Sequence, residues 1–336
     1  MESLLGFYKG VLQIMAKFGC YIYQEGQRFE DIVSTVRECE RRGFDSIWLK
    51  DNFLPWIQSY VKDGKNTAAT CEPDDDLMLE CWTTLSSLAL ITHRIRLGAI
   101  LVNSYRTPPS LLAKMVSTLD IISRGRLEFG LSAGWYRKEF EAYGFDFLNA
   151  STRVEMMEES IKIIKMMLTE NSPVSFSGKY FKVNGAICNP KPIQRPYPPL
   201  WIGGSGERTI EIAAKYANGW NYGLCSYEEY VAKLSLLKNC CKIVNRDYQN
   251  IMKGWQGLII IGKHEEDVQI KISDLQSKKR IEDDGISKIS VAGTIEEIQT
   301  EIAKYIRIGV NYFTVSFRDL ESLKLFAERI MPQFKT

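Results

Sequence analysis

The sequence predicts an α/β fold, a (β/α)8 barrel of the TIM type with insertions, in a single domain. Short runs of β-branched and aromatic residues alternate with longer helical patterns, as they do in parallel strands joined by crossover helices. Eight such runs match a closed barrel better than an open sheet. The length of 336 residues, 45% of them hydrophobic, is sufficient to bury one large core.

Each of the eight strand candidates is short and apolar. In chain order they are Lys17–Tyr23, Ser46–Lys50, Ile95–Val102, Arg126–Ser132, Leu200–Gly203, Gly219–Tyr222, Gly257–Ile261 and Tyr312–Phe317. Residues 1–15 are interpreted as an N-terminal extension of a barrel domain that spans residues 16–332. The apolar part of this extension is broken by Lys9 and Gly10 and is too short to span a bilayer. Met15 is an alternative start, which would make the preceding residues dispensable.

Two stretches between the strands have recognisable patterns. Thr152 and Glu155 can form a capping box at the start of a helix. Its predicted core stripe consists of Val154, Met157, Ile161, Ile164 and Leu168. Residues 170–199 are interpreted as an insertion, with a hairpin that turns at Ser177 and Gly178 and a proline-rich excursion.

Composition argues against several classes of protein. A formal net charge of +2, from 43 basic and 41 acidic residues, provides no broad field for nucleic acid or a membrane surface, so neither partner is expected. The eight cysteines include no C-x-x-C motif and are interpreted as reduced thiols of a cytoplasmic protein. With only His93 and His264, and no cysteine or histidine cluster, no metal site is expected.

Amides, glycines and aromatic residues follow the predicted strands, at the end of the barrel where ligands bind. They are Tyr23, Gln24, Asp51, Asn52, Trp56, Asn103, Ser104, Tyr105, Arg106, Ala133, Gly134, Trp135, Gly203, Gly204, Ser205, Asn221 and Tyr222. No nucleophile with a neighbouring base stands out, which disfavours hydrolysis through a proton relay. These side chains are suited to hold a large planar heterocycle.

The turn "GGSGER" after the fifth strand candidate has two explanations. Gly203 and Gly204 end a strand, Ser205 can cap, and the helix from Glu207 presents free backbone N–H groups to an anion. Tight packing of the strand against the helix explains the glycines equally well. The turn is neither a Walker loop nor a Rossmann fingerprint, because both spacings are absent.

Four stretches together resemble a known family. They are "GFDSIWLKDNFLPW", the segment from "LECWTTLSS" to "EAYGFDF", the segment from "GKYFKVNG" to "KYANGWN", and "GTIEEIQTEIAKYIRIGVNYFTVSF". In this order, from about Ala16 to Pro332, the chain resembles the bacterial luciferase-like superfamily and, within it, flavin- or deazaflavin-dependent oxidoreductases. So extended a match is more specific than any single motif.

The resemblance implies a barrel that binds coenzyme F-420, or alternatively FMN, at the carboxyl ends of its strands. It also implies a non-proline cis peptide between Ile100 and Leu101, with the phosphate side of the cofactor on Ala133, Gly134 and the "GGSG" turn. The cofactor-binding candidates are Asp51, Asn52, Ile100, Leu101, Asn103, Ala133, Gly134, Gly203, Gly204 and Ser205. The substrate-binding candidates are Tyr23, Trp56, Trp135 and Trp220, which predict a largely apolar or planar small molecule.

Two positions depart from the family pattern. Asn52 stands where many relatives have a histidine, and Trp135 stands where deazaflavin sugar-phosphate dehydrogenases have a glutamate. Both losses remove a proton carrier, which argues against a sugar-phosphate substrate. The acid–base partner is then expected among Tyr23, Asp51, Tyr105 or a group of the substrate. The catalytic candidates are Asn52, Asp51 and Trp135.

Asn52 is expected to orient the cofactor ring, because an amide can donate to and accept from a flavin-like edge but has no useful pKa near neutrality. Trp56 would close the side away from the ring. In the alternative interpretation, Asp51 and Asn52 only cap the following loop through their own backbone.

The favoured function is hydride transfer between coenzyme F-420 and an unidentified small organic substrate, because such transfer needs mainly positioning and exclusion of water. An FMN-dependent monooxygenase that uses dioxygen is the alternative in the same fold. A Schiff-base lyase or aldolase with Lys50 as nucleophile, and a non-catalytic flavin-binding relative, are more remote. The oligomeric state stays open, although similar barrels often form homodimers through helices near the second and third strands.

Overall fold

Strands and helices alternate along the chain in the computed structural model, which describes residues 15–55, 61–62, 65–66, 77–279 and 290–335. Residues 1–14 and Trp56 lie outside this part of the chain. The strands are β1 Lys17–Tyr21, β2 Ser46–Leu49, β3 Val61–Lys62, β4 Lys65–Asn66, β5 Arg96–Asn103, β6 Leu127–Ser132, β7 Val174–Ser177, β8 Lys182–Ala186, β9 Leu200–Gly203, β10 Gly219–Gly223, β11 Met252–Gly262, β12 Ser290–Thr294 and β13 Tyr312–Ser316.

Helices lie between the strands. They are α1 Phe29–Arg41, α2 Cys81–Ile91, α3 Pro109–Ile122, α4 Arg137–Ala142, α5 Ala150–Thr169, α6 Glu207–Tyr216, α7 Tyr227–Ile243, α8 Glu265–Lys279, α9 Ile295–Arg307, α10 Leu320–Arg329 and α11 Met331–Phe334, with a 3-10 helix at Tyr248–Asn250. Within the described residues, no helix is both long enough and apolar enough to cross a membrane.

Eight of the strands close a parallel barrel, which confirms the predicted fold class. They pair in the order β1, β2, β5, β6, β9, β10, β11 and β13, and β13 pairs with β1 to complete the ring. Because all the pairings are parallel, the carboxyl ends of the eight strands lie at one end of the barrel.

Most barrel strands begin within one residue of the predicted start, and β11 is the exception. It begins at Met252, five residues before the predicted Gly257. A lysine, a glycine and a glutamine interrupt the apolar pattern there, and pairing with β10 holds the segment in the sheet. The strand β12 was not predicted, and it pairs with the last five residues of β11.

Three aromatic side chains fill the barrel interior. Trp48, Trp201 and Tyr312 are buried, with ring centroids 5.6, 6.1 and 4.7 Å apart in edge-to-face contacts. Two glycines make room for the indoles, since a Cβ at Gly98 would overlap Trp48 and one at Gly219 would overlap Trp201. This aromatic cluster packs against Tyr21, Ile100 and Leu101, which line the cavity described below.

The start of α5 differs from the prediction. Asn149 is its N-cap, and the Asn149 side chain accepts a hydrogen bond of 2.9 Å from the backbone N–H of Thr152. The predicted capping box of Thr152 with Glu155 is therefore wrong, because Thr152 already lies within the first turn. In the predicted core stripe Val154 is partly buried, and the fully buried members are Met157, Ile161, Ile164 and Leu168.

Residues 170–199 leave the barrel between α5 and β9. Here β7 and β8 pair antiparallel, and Gly178 donates a backbone hydrogen bond of 2.9 Å to the carbonyl of Phe181. The proline-rich part that follows contains cis peptide bonds before Pro190 and Pro196. The chain then enters β9 directly.

Candidate active site

A cavity of about 510 Å³ lies at the carboxyl ends of the barrel strands. Residues named from the sequence that line it are Lys50, Asn52, Ile100, Leu101, Asn103, Ala133, Gly134, Trp135, Gly203, Gly204, Ser205, Asn221 and Tyr222. The other lining residues are Tyr21, Ser132, Gly206, Thr209, Gly223, Leu224 and Gln256. Every barrel strand except β13 thus contributes to one cavity, as expected for a ligand site of this fold.

A bulge in β5 shapes one wall of the cavity. The peptide bond between Ile100 and Leu101 is cis, at the bond that the resemblance indicated. The pairing register of β5 with β6 shifts between Ala99 and Val102 around it. The Leu101 side chain reaches β9, where a Cβ at Gly203 would overlap it. The glycine therefore allows the bulged strand to approach β9.

Two glycine turns, after β6 and β9, also line the cavity. Gly134 has a φ of +73°, and a Cβ there would lie 2.6 Å from Asn103 Oδ1. Gly204 has a φ of +124° and precedes α6, whose N-cap is Gly206 and not Ser205. No capping side chain bonds to the first N–H groups of α6 among the described residues. Such a helix start favours an anion.

Amide side chains form a polar edge of the cavity. Asn221 donates to Gln256 Oε1 at 2.7 Å, and Asn103 is 5% exposed. The other side-chain atom of Asn221, Oδ1, is buried and has no hydrogen-bond partner among the described residues. A buried acceptor without a donor is costly, so this oxygen is suited to a ligand N–H or O–H group.

The loop after β2 is fixed by a buried ion pair network. Arg106 lies 2.5 Å from Asp51 Oδ2 and 2.8 Å from Glu139 Oε1. The other Glu139 oxygen accepts hydrogen bonds from Asn52 Nδ2 at 3.0 Å, and from the backbone N–H groups of Phe53 at 2.7 Å and Leu54 at 3.2 Å. Because a carboxylate can only accept, the amide nitrogen of Asn52 faces Glu139.

Lys50 is the charged side chain among the described residues that line the cavity. Its side chain is 6% exposed and forms a close ion pair with Glu25, which follows β1. Burial lowers the pKa of Lys50 to about 7, while the negative charge of Glu139 opposes that shift. Burial also raises the pKa of Asp51 to about 6, although Arg106 opposes it.

Several candidates from the sequence lie away from the cavity. Asp51 is 3% exposed and points to Arg106 behind the lining. Trp220 is fully buried and donates to the carbonyl of Gly204 at 2.9 Å, on the strand face opposite Asn221. Tyr23 contacts Ser316 at 3.1 Å instead. Of the three substrate-binding candidates that the structure describes, only Trp135 lines the cavity. The fourth, Trp56, lies outside the described residues.

Glu139, Gln256 and Tyr21 are among the residues of the site that the sequence did not indicate. Glu139 lies in a charged hexapeptide that resembles a surface helix, and its burial depends on Arg106, which is distant in sequence. Gln256 lies in the part of β11 that was not predicted. Tyr21 is the last residue of β1 and lines the cavity, whereas the predicted strand extends to Tyr23, so an earlier strand end would have indicated Tyr21.

The comparisons with known proteins agree with this architecture. A family model described as luciferase-like monooxygenase matches residues 10–278. Phthiodiolone/phenolphthiodiolone dimycocerosates ketoreductase of Mycobacterium tuberculosis is 26% identical over 232 residues, which cover 68% of this chain and 60% of that protein. An FMNH(2)-dependent dimethylsulfone monooxygenase of Pseudomonas putida is 31% identical over 140 residues, which cover 41% of this chain and 38% of the relative.

Solved structures share the fold. An F420-dependent secondary alcohol dehydrogenase in complex with an F420–acetone adduct has a TM-score of 0.82 at 19% identity. The match covers 96% of this chain and 100% of the dehydrogenase chain. The EDTA monooxygenase of a Chelativorans species has a TM-score of 0.80 at 12% identity, covering 95% and 93%. Because the family model matches most of its length, the chain belongs to the luciferase-like monooxygenase family of oxidoreductases.

Proposed function

We propose that this chain transfers a hydride between coenzyme F-420 and a small organic substrate, a ketone or secondary alcohol. The observation that carries the proposal is the combination, in one cavity, of the Ile100–Leu101 bulge with two glycine turns and a helix start. The bulge offers a wall for a flat ring, and the turns offer backbone N–H groups for a phosphate.

The residues present fit such a cofactor. The N–H groups at the start of α6, with Ser205 and Thr209, would hold its phosphate. The unpartnered Asn221 oxygen would accept a hydrogen bond from the polar edge of the ring or its side chain. When bound, the cofactor supplies two-electron hydride chemistry, and the protein supplies orientation and a dry cavity.

The lining supports hydride transfer over chemistry that needs many titrating groups. Amides, glycines and apolar side chains make up most of it, and the aromatic cluster packs behind Ile100 and Leu101. Trp135, which is 53% exposed, lies at the mouth of the cavity and would cover an apolar substrate. Such a site contributes mainly by positioning the two reactants.

The names of two relatives favour a ketone or secondary alcohol as the substrate. One curated relative is named a ketoreductase, and one similar structure is described as a secondary alcohol dehydrogenase with an acetone adduct, so both names concern a carbonyl group and its alcohol. The alternative is an FMN-dependent monooxygenase. It is favoured by the sulfone monooxygenase, whose matched stretch has the higher identity but covers less of the chain.

A side-by-side titration tests the proposal. Purified apoprotein is titrated with F-420 and with FMN, and the better ligand is then assayed anaerobically with a panel of ketones and secondary alcohols. We expect tighter binding of F-420 and anaerobic turnover of at least one carbonyl compound. Tighter binding of FMN, with turnover only when dioxygen is present, would replace this proposal with the monooxygenase.

A further inference from the structure

Lys50, paired with Glu25, brings a charge to a cavity whose other described lining residues are uncharged. Lys50 follows β2 and is 5% exposed, and the Glu25 side chain is 13% exposed. The backbone N–H of Lys50 donates to Gln24 Oε1 at 2.8 Å, and Gln24 Nε2 donates to the carbonyl of Leu79 at 2.8 Å. The ends of β1 and β2 are thus tied together, which fixes the pair beside the cavity.

The contacts of Lys50 and Glu25 with the described residues give no structural reason for burying this ion pair. Glu25 Oε2 is buried and has no hydrogen-bond partner among the described residues, so the pair leaves one acceptor unpaired. Burying two charges with an unpaired oxygen is costly, and a well-packed apolar pair would avoid that cost. A buried ionisable group with a specific charge partner that faces a cleft is a candidate for a functional residue.

The other acid–base candidates do not reach the cavity. Tyr23, Asp51 and Tyr105, which were expected from the sequence, are not among its lining residues. Tyr21 and Tyr222 do line it, but burial raises the pKa of both phenols far above the usual range, so both are poor acids. Lys50 is the remaining group of the described lining that can exchange a proton near neutral pH.

We propose that Lys50 is the proton donor and acceptor of the reaction and that Glu25 positions its ammonium group. This inference rests on the proposed function. In the direction of ketone reduction, the carbonyl carbon gains a hydride from the bound reduced deazaflavin, which is thereby oxidised. The carbonyl oxygen gains a proton as an N–H bond of Lys50 breaks, which leaves a neutral amine that solvent reprotonates. Alcohol oxidation reverses each transfer.

The electrostatic surroundings of Lys50 suit proton transfer in both ketone reduction and alcohol oxidation. Burial and the positive charge of Arg318 lower the pKa of Lys50 to about 7, and the negative charge of Glu139 opposes them. The ion pair with Glu25 also favours the protonated amine. A group that is about half protonated at neutral pH can donate in one direction and accept in the other. A simple anchor for an anionic substrate is a poorer explanation, because Glu25 already neutralises the lysine charge.

The first test measures the pKa of Lys50 directly and needs no cofactor. Competitive labelling of the apoprotein with acetic anhydride at a series of pH values, followed by peptide mass spectrometry, gives the pKa of each lysine. We expect Lys50 to titrate near pH 7, and to titrate lower in Glu25→Gln, since a stabilising negative charge is removed. Titration of Lys50 at the ordinary lysine value would overturn the proposal.

The second test separates proton transfer from charge. Lys50→Met and Lys50→Arg should both lower kcat for ketone reduction by roughly 100-fold or more, while the dissociation constant of F-420 changes less than about threefold. Arginine keeps the charge but does not release its proton. In Glu25→Gln the alkaline limb of the kcat profile should move to lower pH, because reduction requires protonated Lys50.

Lys253→Met is the matched control, since Lys253 is also buried, with a pKa lowered by burial, but lies at the opposite end of the barrel. It should retain kcat. Full activity of Lys50→Arg, or a borohydride-stable substrate adduct on Lys50, would overturn the proposal. If the wild-type protein neither binds F-420 nor reduces a ketone, the proposed function fails first, and the labelling result still reports on Lys50.

Discussion

Glu139 Oε2 lies 3.0 Å from Asn52 Nδ2, so a carboxylate from the start of α4 fixes the amide that faces the cavity. The same oxygen accepts from the backbone of Phe53 and Leu54. The loop after β2 is therefore capped by Glu139, and the side chains of Asp51 and Asn52 are turned to other partners. This arrangement differs from the alternative in which Asp51 and Asn52 cap their own loop.

Glu139→Gln should weaken cofactor binding by about 10-fold and lower the free energy of unfolding by roughly 1 to 3 kcal/mol. In the wild type, the two oxygens of Glu139 accept from Arg106, Asn52 and two backbone N–H groups. A glutamine at this position has only one acceptor oxygen, so some of these donors would lose their partner. Equilibrium denaturation and fluorescence titration of the cofactor measure the two effects.

Glu141→Gln is the control on the same helix. Its side chain is 58% exposed and pairs with Arg137, so its loss should change stability by less than about 0.5 kcal/mol. If Glu139→Gln loses stability but the folded variant binds cofactor normally, the carboxylate serves the fold alone.

Asn52→Ala should cost roughly 1 to 3 kcal/mol in cofactor binding or in transition-state stabilisation, because a positioned polar partner is removed. Asn52→His should retain binding and acquire a pH dependence near the titration of the new imidazole, which can still donate to Glu139. Cofactor titrations and kcat/KM between pH 5 and 9 report both outcomes. Unchanged affinity and turnover in Asn52→Ala would exclude a role for the amide in the site.

Local pattern was sufficient for the barrel, because each strand is a short apolar run and its parallel pairing follows from the intervening helices. The same logic found the glycines and Asn52, since residues after parallel strands share one end of a barrel. It could not find Glu139, because the burial of a carboxylate depends on a partner such as Arg106 that lies far away in sequence.

Trp220 shows a failure of a different kind. The period of two along a strand places Trp220 and Asn221 on opposite faces, so only one of them can line the cavity. The sequence alone does not say which one, because an indole suits a ligand site and a core equally well. Packing of Trp220 against Tyr230 of α7, with ring centroids 5.6 Å apart, resolves the choice.

Gly204→Val should weaken cofactor binding more than it weakens folding, because a side chain there would occupy the approach to the start of α6. The φ of +124° at Gly204 means that any side chain also strains the backbone, so some loss of stability is expected as well. Gly309→Val is the matched control, with a φ of +102° and no atom within 4 Å of an added Cβ. The melting temperatures of both variants should fall by similar amounts, and only Gly204→Val should bind the cofactor more weakly. Equal affinities in the two variants would mean that Gly204 serves only chain packing.

Asp51 gives the site a pH dependence whose direction follows from its burial. Its pKa rises from the model-compound value of 3.8 to about 6 in the folded protein, with burial as the main cause and Arg106 as the opposing one. Between these two values the folded protein binds more protons than the unfolded chain. The stabilising contribution of Asp51 titration is therefore fully present below pH 3.8 and is lost as the pH rises through 6.

Asp51→Asn keeps the shape of the side chain but cannot titrate, so wild-type protein should gain stability relative to this variant as the pH falls from 7 to about 4. Urea denaturation midpoints of both proteins across that range provide the measurement. A wild-type protein that instead loses stability relative to Asp51→Asn on acidification would show that the ion pair with Arg106 outweighs burial and holds the pKa of Asp51 below its ordinary value.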